Sequence, residues 1–370
     1  MSALRNHFRS NPGIGALVIT AVIKWGLKNP WRAFFLLRIM VRVLQANARR
    51  AKMARRVKGV IPVVLAISPT MKCNYTCLGC YSRGRNTEDE LSFEELDALF
   101  REAETLGIAS VVVTGGEPFS RGDFIPLLKK HPKLLFVVIT NGSYFSPILV
   151  REVAQTSNLI VLVSIEGGRE ETERRRGEGS YHRAIQAMTL MRKAKLLYGF
   201  AVTTTRVNIP SVLSRAFLDT MRSAGCVLGF FTEYVPCGET PQNDWMISQE
   251  TREKFRERVL RLRKTKCPVI IQFPHDEYGE ANICSGAGRG FFHINPQGNV
   301  EPCPFSPYSC DNIRSGGLRS ACNSLFRQSI RNQPELLERK REACALFEHQ
   351  KEIEKLCIRI LADAEKGEAE

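Results

Sequence analysis

The chain has 370 residues, 44% of them apolar, with 18 prolines spread along its length, so it can bury a sizeable core as one large domain or a domain with an appendage, and global disorder is excluded. The formal charge of +15 is confined to one end: residues 1–87 carry sixteen Lys or Arg and no Asp or Glu, and the remainder is near neutral. Such a charge belongs to a segment rather than to the fold, and the segment lacks a recognisable nucleic-acid module, so nucleic acid is not an expected partner. The N-terminus has no secretory signal, which makes a reducing cytosol the default compartment. There, clustered cysteines among the twelve read as metal ligands or reactive thiols rather than disulfides. Cys226, Cys237, Cys267 and Cys357 stand singly and read as buried structural thiols.

Three zones follow from composition: a basic apolar leader (1–60), an alternating strand and helix region (61–266) and a Cys-, Gly- and Pro-rich tail (267–370). In the leader, residues 12–23 are apolar but too few to span a bilayer. Beyond Pro30, Phe34, Leu37, Val41 and Leu44 line one helical stripe while Arg38, Arg42 and Arg49 fall on another, with Trp25 and Trp31 flanking the turn. That pattern predicts an in-plane amphipathic anchor on an anionic membrane surface, at the inner, cytoplasmic face. The alternative is a helix pair packed on the fold.

In the middle zone, β-branched runs at 63–67, 110–113, 135–139, 159–164, 200–204 and 228–234 alternate with helical patterns. The first helix has a start signal, Ser92 as N-cap and Glu95 three residues on, before Leu96, Leu99 and Phe100. Six such runs predict an α/β fold of parallel βαβ units. Periodicity alone does not choose between a barrel and a doubly wound sheet, but both gather reactive residues at the C-terminal ends of the strands.

The loop after the first run holds Cys73, Cys77 and Cys80 in C-x3-C-x2-C spacing. Three close thiolates can ligate three irons of a cubane and leave the fourth open, whereas zinc finds no neighbouring fourth ligand. After the second run comes Thr114-Gly115-Gly116-Glu117-Pro118, where two glycines let a ligand approach the backbone and a carboxylate can pair with an ammonium. Thr140-Asn141-Gly142 ends the third run, Ser164-Ile165-Glu166-Gly167 the fourth, and Arg176-Gly177-Glu178-Gly179-Ser180 precedes a helix.

With these motifs in this order, residues 61–240 resemble the radical S-adenosylmethionine (SAM) superfamily. The resemblance implies a (βα)6 partial TIM-type barrel and a [4Fe-4S] cluster on Cys73, Cys77 and Cys80. It implies SAM bound by Gly115, Gly116, Glu117 and Pro118 at its amine, with Asn141, Ser164 and Glu166 as further contacts, and reductive cleavage to a 5'-deoxyadenosyl radical. A one-electron donor such as ferredoxin or flavodoxin is implied with it. Two departures stand out: Glu166 replaces the family's usual Asp, and Gly79 precedes the third cysteine where many members have an aromatic residue.

In the tail, thirteen residues separate Cys284 from Gly298 and four more separate Gly298 from Cys303, with Cys310, Cys322 and Cys344 beyond. This is similar to the Twitch and SPASM appendages of radical SAM enzymes, which carry an auxiliary iron-sulfur cluster. Residues 291–300 predict a hairpin, turning at 295–299, that brings Cys284 and Cys303 together. Cys344, at the end of a helical stretch around 334–341, is the favoured third ligand; Cys310, Cys322 or neither completes the set. The expected activity is radical modification of an unactivated carbon in a lipid or other apolar substrate, an inference from the leader alone. The alternatives are a peptide or protein maturase, or a non-enzymatic iron-sulfur protein.

Overall fold

The computed structural model describes residues 30–57, 59–265, 268–278, 282–340 and 343–367, and only the helical backbone of residues 30–36. The apolar run at 12–23, Trp25 and Cys267 lie outside the described residues. The rest of the leader is one continuous helix, α1 (Pro30–Met53). Its Ile39 and Ala46 are buried, whereas Leu37, Met40, Val41 and Leu44 are 50%, 38%, 42% and 61% exposed, which leaves an apolar stripe at i, i+3, i+4 and i+7 facing outward.

Strands and helices then alternate: β1 (Val64–Ile67), α2 (Phe93–Leu106), β2 (Ser110–Val113), α3 (Phe124–Lys130), β3 (Leu135–Thr140), α4 (Pro147–Ala154), β4 (Leu159–Ser164), α5 (Arg169–Arg176), α6 (Ser180–Lys193), β5 (Tyr198–Thr204), α7 (Arg215–Ala224), β6 (Leu228–Glu233), α8 (Gln249–Arg263) and β7 (Val269–Phe273). The tail adds β8 (Phe291–Ile294), β9 (Val300–Glu301), α9 (Ile313–Ala321), α10 (Leu325–Arg331), α11 (Ala345–Glu348) and α12 (Gln350–Gly367). All six expected strands are present, and the 269–273 run, read from sequence as tail, is a seventh strand parallel to β6.

The chain forms two compact, interleaved units. One takes residues 73–84 and 137–281 with the start of α1; the other takes 41–72, 85–136 and 282–370, so β3 is divided between them. In the first unit β4 pairs with β5, β5 with β6 and β6 with β7, all parallel. Consecutive strands are therefore neighbours, the winding of a barrel; a doubly wound sheet reverses its order at a switch point. The aromatic core under this sheet is built on Phe200, edge-to-face with Phe217 at 5.6 Å and Phe231 at 5.8 Å. Each such pair adds about 0.5–1.5 kcal/mol beyond area burial.

In the second unit β1 lies between β2 and β8, parallel to both, and β9 closes antiparallel on β8 through His293↔Glu301 and Ile294↔Val300. This is the expected hairpin, its turn held by Asn295, which accepts from Gln297 and Asn299 amides through Oδ1. The capping box is also formed: the Glu95 amide donates to Ser92 Oγ and the Ser92 amide to Glu95 Oε2. Such a cap contributes about 1 kcal/mol. At the other end of α2, Gly107 has φ +80, and a Cβ there would lie 2.4 Å from the Arg50 amide nitrogen and 2.6 Å from the Ala46 carbonyl. The C-terminal half of α1 thus packs directly on the fold.

Candidate active site

The cysteine loop that follows β1 is held by residues from the ends of β3, β4 and β6. Cys73 is exposed, Cys77 buried and Cys80 half-buried. Asn141 Nδ2 donates to Asn74 Oδ1 at 2.9 Å and reaches Cys73 Sγ at 3.9 Å, and Asn74 in turn donates to Ser143 Oγ at 2.9 Å. The Tyr75 amide donates to Cys73 Sγ at 3.4 Å, and the Tyr75 hydroxyl accepts from Arg183 Nε at 2.6 Å, its ring lying 5.3 Å from the Arg183 guanidinium. Gly79 has φ +60, and a Cβ there would fall 2.7 Å from the Tyr234 hydroxyl. The Tyr234 ring thus fills the space that a side chain at position 79 would need.

Glu166, just past β4, is buried and its carboxylate is already engaged. Oε1 accepts from Arg175 Nη1 at 2.5 Å and Arg176 Nε at 2.8 Å, and Oε2 accepts from the Thr203 amide at 2.9 Å. Glu166 therefore positions two arginines. Burial works against the charge on Arg176, yet Glu166 and the nearby Cys77 and Cys80 outweigh it and raise the guanidinium above its ordinary value. Ser164 is buried at the end of β4. Arg175, Arg183 and Tyr234 escape a sequence reading, because each meets its partner across a helix or from a distant part of the chain.

In the second unit, the 115–118 loop lies on the continuation of β1. Gly115 has φ +103, and the Gly116 amide donates to Thr70 O and the Glu117 amide to Lys72 O, both at 2.9 Å. A Cβ on Gly116 would sit 2.2 Å from the Lys72 carbonyl, so only glycine allows this approach. Glu117 caps the single 3-10 turn that begins at Pro118, accepting from the Phe119 amide at 3.1 Å. Glu90 fixes the β1 continuation from below, accepting from Thr70 Oγ1 at 2.8 Å and the Met71 amide at 2.9 Å. Lys72, bonded to this loop, is followed directly by Cys73.

In the tail the structure brings Cys284, Cys303 and Cys344 together. Burial pushes the Cys303 thiol well above its ordinary value, and a hydrogen bond with Cys344 and the charges of Cys344 and Cys284 push it further. Buried thiols that resist ionisation in one another's company become stable thiolates when a soft metal supplies positive charge, so this donor set fits an iron-sulfur group. Buried Ser306 Oγ, in the turn that returns to Cys303, finds no hydrogen-bond partner among the described residues. Cys310 faces Cys357 instead, Sγ to Sγ 3.1 Å, and the Cys322 carbonyl holds the Val60 amide at 3.0 Å.

The helical stretch expected around 334–341 is only a 3-10 turn at Pro334–Leu336. Leu337 and Glu338 are used to pair with Cys284 and Ile283, and Cys344 opens α11 as its N-cap rather than ending a helix. Among the described residues no three His, Cys, Asp or Glu side chains form a ready chelate for a single metal ion. A cubane differs from a single ion in spreading its ligand sulfurs over several irons.

Residues 67–224 match the model of the Radical SAM superfamily. That segment is a radical SAM domain, and the chain is an enzyme. Radical SAM enzymes use a [4Fe-4S] cluster and SAM. The chain is similar to the AdoMet-dependent heme synthase of Methanosarcina barkeri, 24% identical over 78% of this chain and 89% of that protein. It is similar also to the mycofactocin maturase MftC of Mycobacterium tuberculosis, 28% identical over 72% of each. Its fold, a partial barrel of parallel strands with alternating helices, is that of Streptococcus suis SuiB solved with its precursor peptide SuiA (TM-score 0.61, 15% identity, 76% of this chain and 69% of that one). Among the described residues no helix is long and apolar enough to cross a membrane.

Proposed function

We propose that this radical SAM enzyme modifies a peptide. Cys73, Cys77 and Cys80 are its cluster ligands, Gly115, Gly116, Glu117 and Pro118 receive the SAM amine, and Asn141 and Ser164 border the same ligand. Cys284, Cys303 and Cys344 hold an auxiliary iron-sulfur cluster, which Cys310 does not join because its thiol is turned to Cys357. Bound there, the loop cluster supplies the electron that cleaves SAM to a 5'-deoxyadenosyl radical. The chain's own part is to orient and to shield. Asn141 and Tyr75 fix Cys73, Glu166 holds Arg176 near Cys77 and Cys80, and Gly116 lets the 115–118 loop close on the backbone of residues 70–72. A ferredoxin- or flavodoxin-type protein serves as reductant.

The observation that carries the peptide reading is the likeness to a maturase over 72% of both chains, supported by a fold shared with an enzyme solved on its precursor peptide. The lipid substrate expected from sequence rested on the leader alone and gives way to this alternative. A rival is a haem precursor, because the likeness to the heme synthase covers 89% of that protein. The test is an anaerobic reaction of the reconstituted enzyme with SAM, reductant and short peptides encoded by neighbouring genes, read by mass spectrometry. A SAM-dependent mass change in one peptide, absent from Cys73→Ala, supports the reading. Conversion of an iron porphyrin with every peptide unchanged overturns it.

A further inference from the structure

A chain of polar side chains runs through the second unit beneath the 115–118 loop. Arg85 Nη1 donates to both oxygens of Glu301, at 3.2 and 3.1 Å, and Asn295 Nδ2 donates to Oε1 at 3.1 Å. Glu301 Oε2 lies 2.7 Å from His293 Nδ1, and His293 Nε2 lies 2.8 Å from Ser68 Oγ. Ser68 and His293 are fully buried and Glu301 is 1% exposed.

The roles of the atoms follow from their chemistry. Burial holds the imidazole of His293 below its ordinary value, so the ring is neutral. Glu301 accepts from Arg85 through both oxygens and from Asn295 through one, so its carboxylate faces the ring as an acceptor. The ring proton therefore sits on Nδ1. Nε2 is left as an acceptor, and the Ser68 hydroxyl donates to it.

Ser68 is where this chain ends. It follows β1 directly, its amide donating to Ile294 O at 2.9 Å. Its Cβ and Oγ occupy the space beside Gly115: a Cβ on Gly115 would lie 2.7 and 2.9 Å from them. The next residues supply the carbonyls of Thr70 and Lys72 that bind the Gly116 and Glu117 amides. A network that merely joined β1 to β8 could sit anywhere along the two strands. This one sits at their C-terminal ends, on the floor of the loop, where a one-ångström displacement changes ligand binding.

We propose that His293 is a positioning residue for SAM. By accepting the hydrogen bond of the Ser68 hydroxyl it fixes Ser68 and the 68–72 segment against Gly115 and Gly116, which pre-forms the loop that receives the SAM ammonium. The proposal rests on reading 115–118 as the amine site.

The test compares Ser68→Ala, His293→Gln, the double variant and Gly116→Ala in the full chain, reconstituted anaerobically. Iron content and melting curves select folded, loaded protein. SAM affinity is measured by equilibrium dialysis without reductant, and KM and kcat for 5'-deoxyadenosine formation are measured separately. Ser68→Ala and His293→Gln each weaken SAM binding and raise its KM about tenfold, with kcat at saturating SAM within about twofold. The double variant is no worse than either single one, as expected for two residues acting through one bond. His131→Gln, which alters another buried histidine of the same unit, leaves SAM affinity unchanged. Unaltered SAM affinity in loaded Ser68→Ala and His293→Gln, or effects that add in the double variant, overturn the proposal while Gly116→Ala still weakens SAM. If Gly116→Ala also binds SAM normally, the loop assignment fails and the proposal with it.

Discussion

The main-chain carbonyl of Arg175 accepts the amide hydrogen of Leu78 at 2.8 Å, which ties the segment between Cys77 and Cys80 to the last turn of α5. Arg175 and Arg176 both then turn their guanidinium groups to Glu166. The cysteine loop and the end of β4 are in this way one structural piece. Glu166→Gln would leave two buried guanidiniums facing a neutral amide, and an uncompensated buried charge costs about 3–5 kcal/mol. The expected outcome is a lower melting temperature of the metal-free protein and at least tenfold slower SAM cleavage after reconstitution. Glu166→Asp, one methylene shorter, should fall between. Unchanged melting in Glu166→Gln would show that the pair contributes nothing.

The tail thiols separate into two groups, and iron analysis should separate them likewise. In the triple Cys73, Cys77, Cys80 to Ala variant, iron and sulfide should remain at one cluster's worth. Further change of Cys284, Cys303 or Cys344 should remove it, whereas Cys310→Ala should not, since Cys310 faces Cys357. Iron lost with Cys310 and kept without Cys344 would reverse the assignment.

His131 makes stability depend on pH. Burial outweighs Glu104 and Asp97 and keeps its folded value below the ordinary 6.5, so the unfolded chain takes up the proton first. Stability is full above about pH 6.5 and declines as pH drops toward the folded value. His131→Gln, still able to bond Asp97, should flatten the melting temperature across that window. Asp97 acts lower: despite burial, Lys130, Arg101 and His131 hold it below its ordinary 3.8, and its contribution is lost only as pH falls through that lowered value. A slope near neutrality that persists in His131→Gln would place its source elsewhere.

The strands were legible because β-branched runs have a period that survives without context, and Ser92 and Glu95 mark a helix start by local chemistry. The 269–273 run was assigned to the tail because it follows Cys267 and Pro268, which look like a boundary; pairing with β6 is a tertiary fact. The gathering of Cys284, Cys303 and Cys344 was legible in outline, though not its cause. Pro334 starts only one 3-10 turn, and the chain after it pairs with the Cys284 segment. The roles of Glu166 and His293 were hidden: Glu166 meets Arg175 and Arg176 at the far end of α5, and Ser68 bonds a histidine 225 positions away.

The leader is testable by its stripe. Attachment to anionic lipid would draw on Leu37, Met40, Val41 and Leu44, which are exposed on one face of α1. Leu37→Ser with Leu44→Ser should reduce sedimentation with anionic vesicles several-fold without lowering the melting temperature, and high salt should reduce it for the native chain. Deleting residues 1–59 is a poorer test, because it strips Ala46 and Arg50 from Gly107 and unsettles α2. Equal sedimentation of the native and substituted chains would remove the stripe from membrane attachment.

The pairing of β8 with β1 has a consequence for synthesis. Strand β1 gains its β2 neighbour early in synthesis, but its other edge is completed only by residues more than 200 positions later. At about 5–20 residues per second, that edge stays open for on the order of ten to forty seconds. Through that interval the unpaired amides and carbonyls of β1 are a template for a stray strand from a neighbouring nascent chain. Yield of this protein should therefore respond to translation speed and chaperone supply more than its folded stability would suggest, and the tail, by supplying β8, is what ends the exposure.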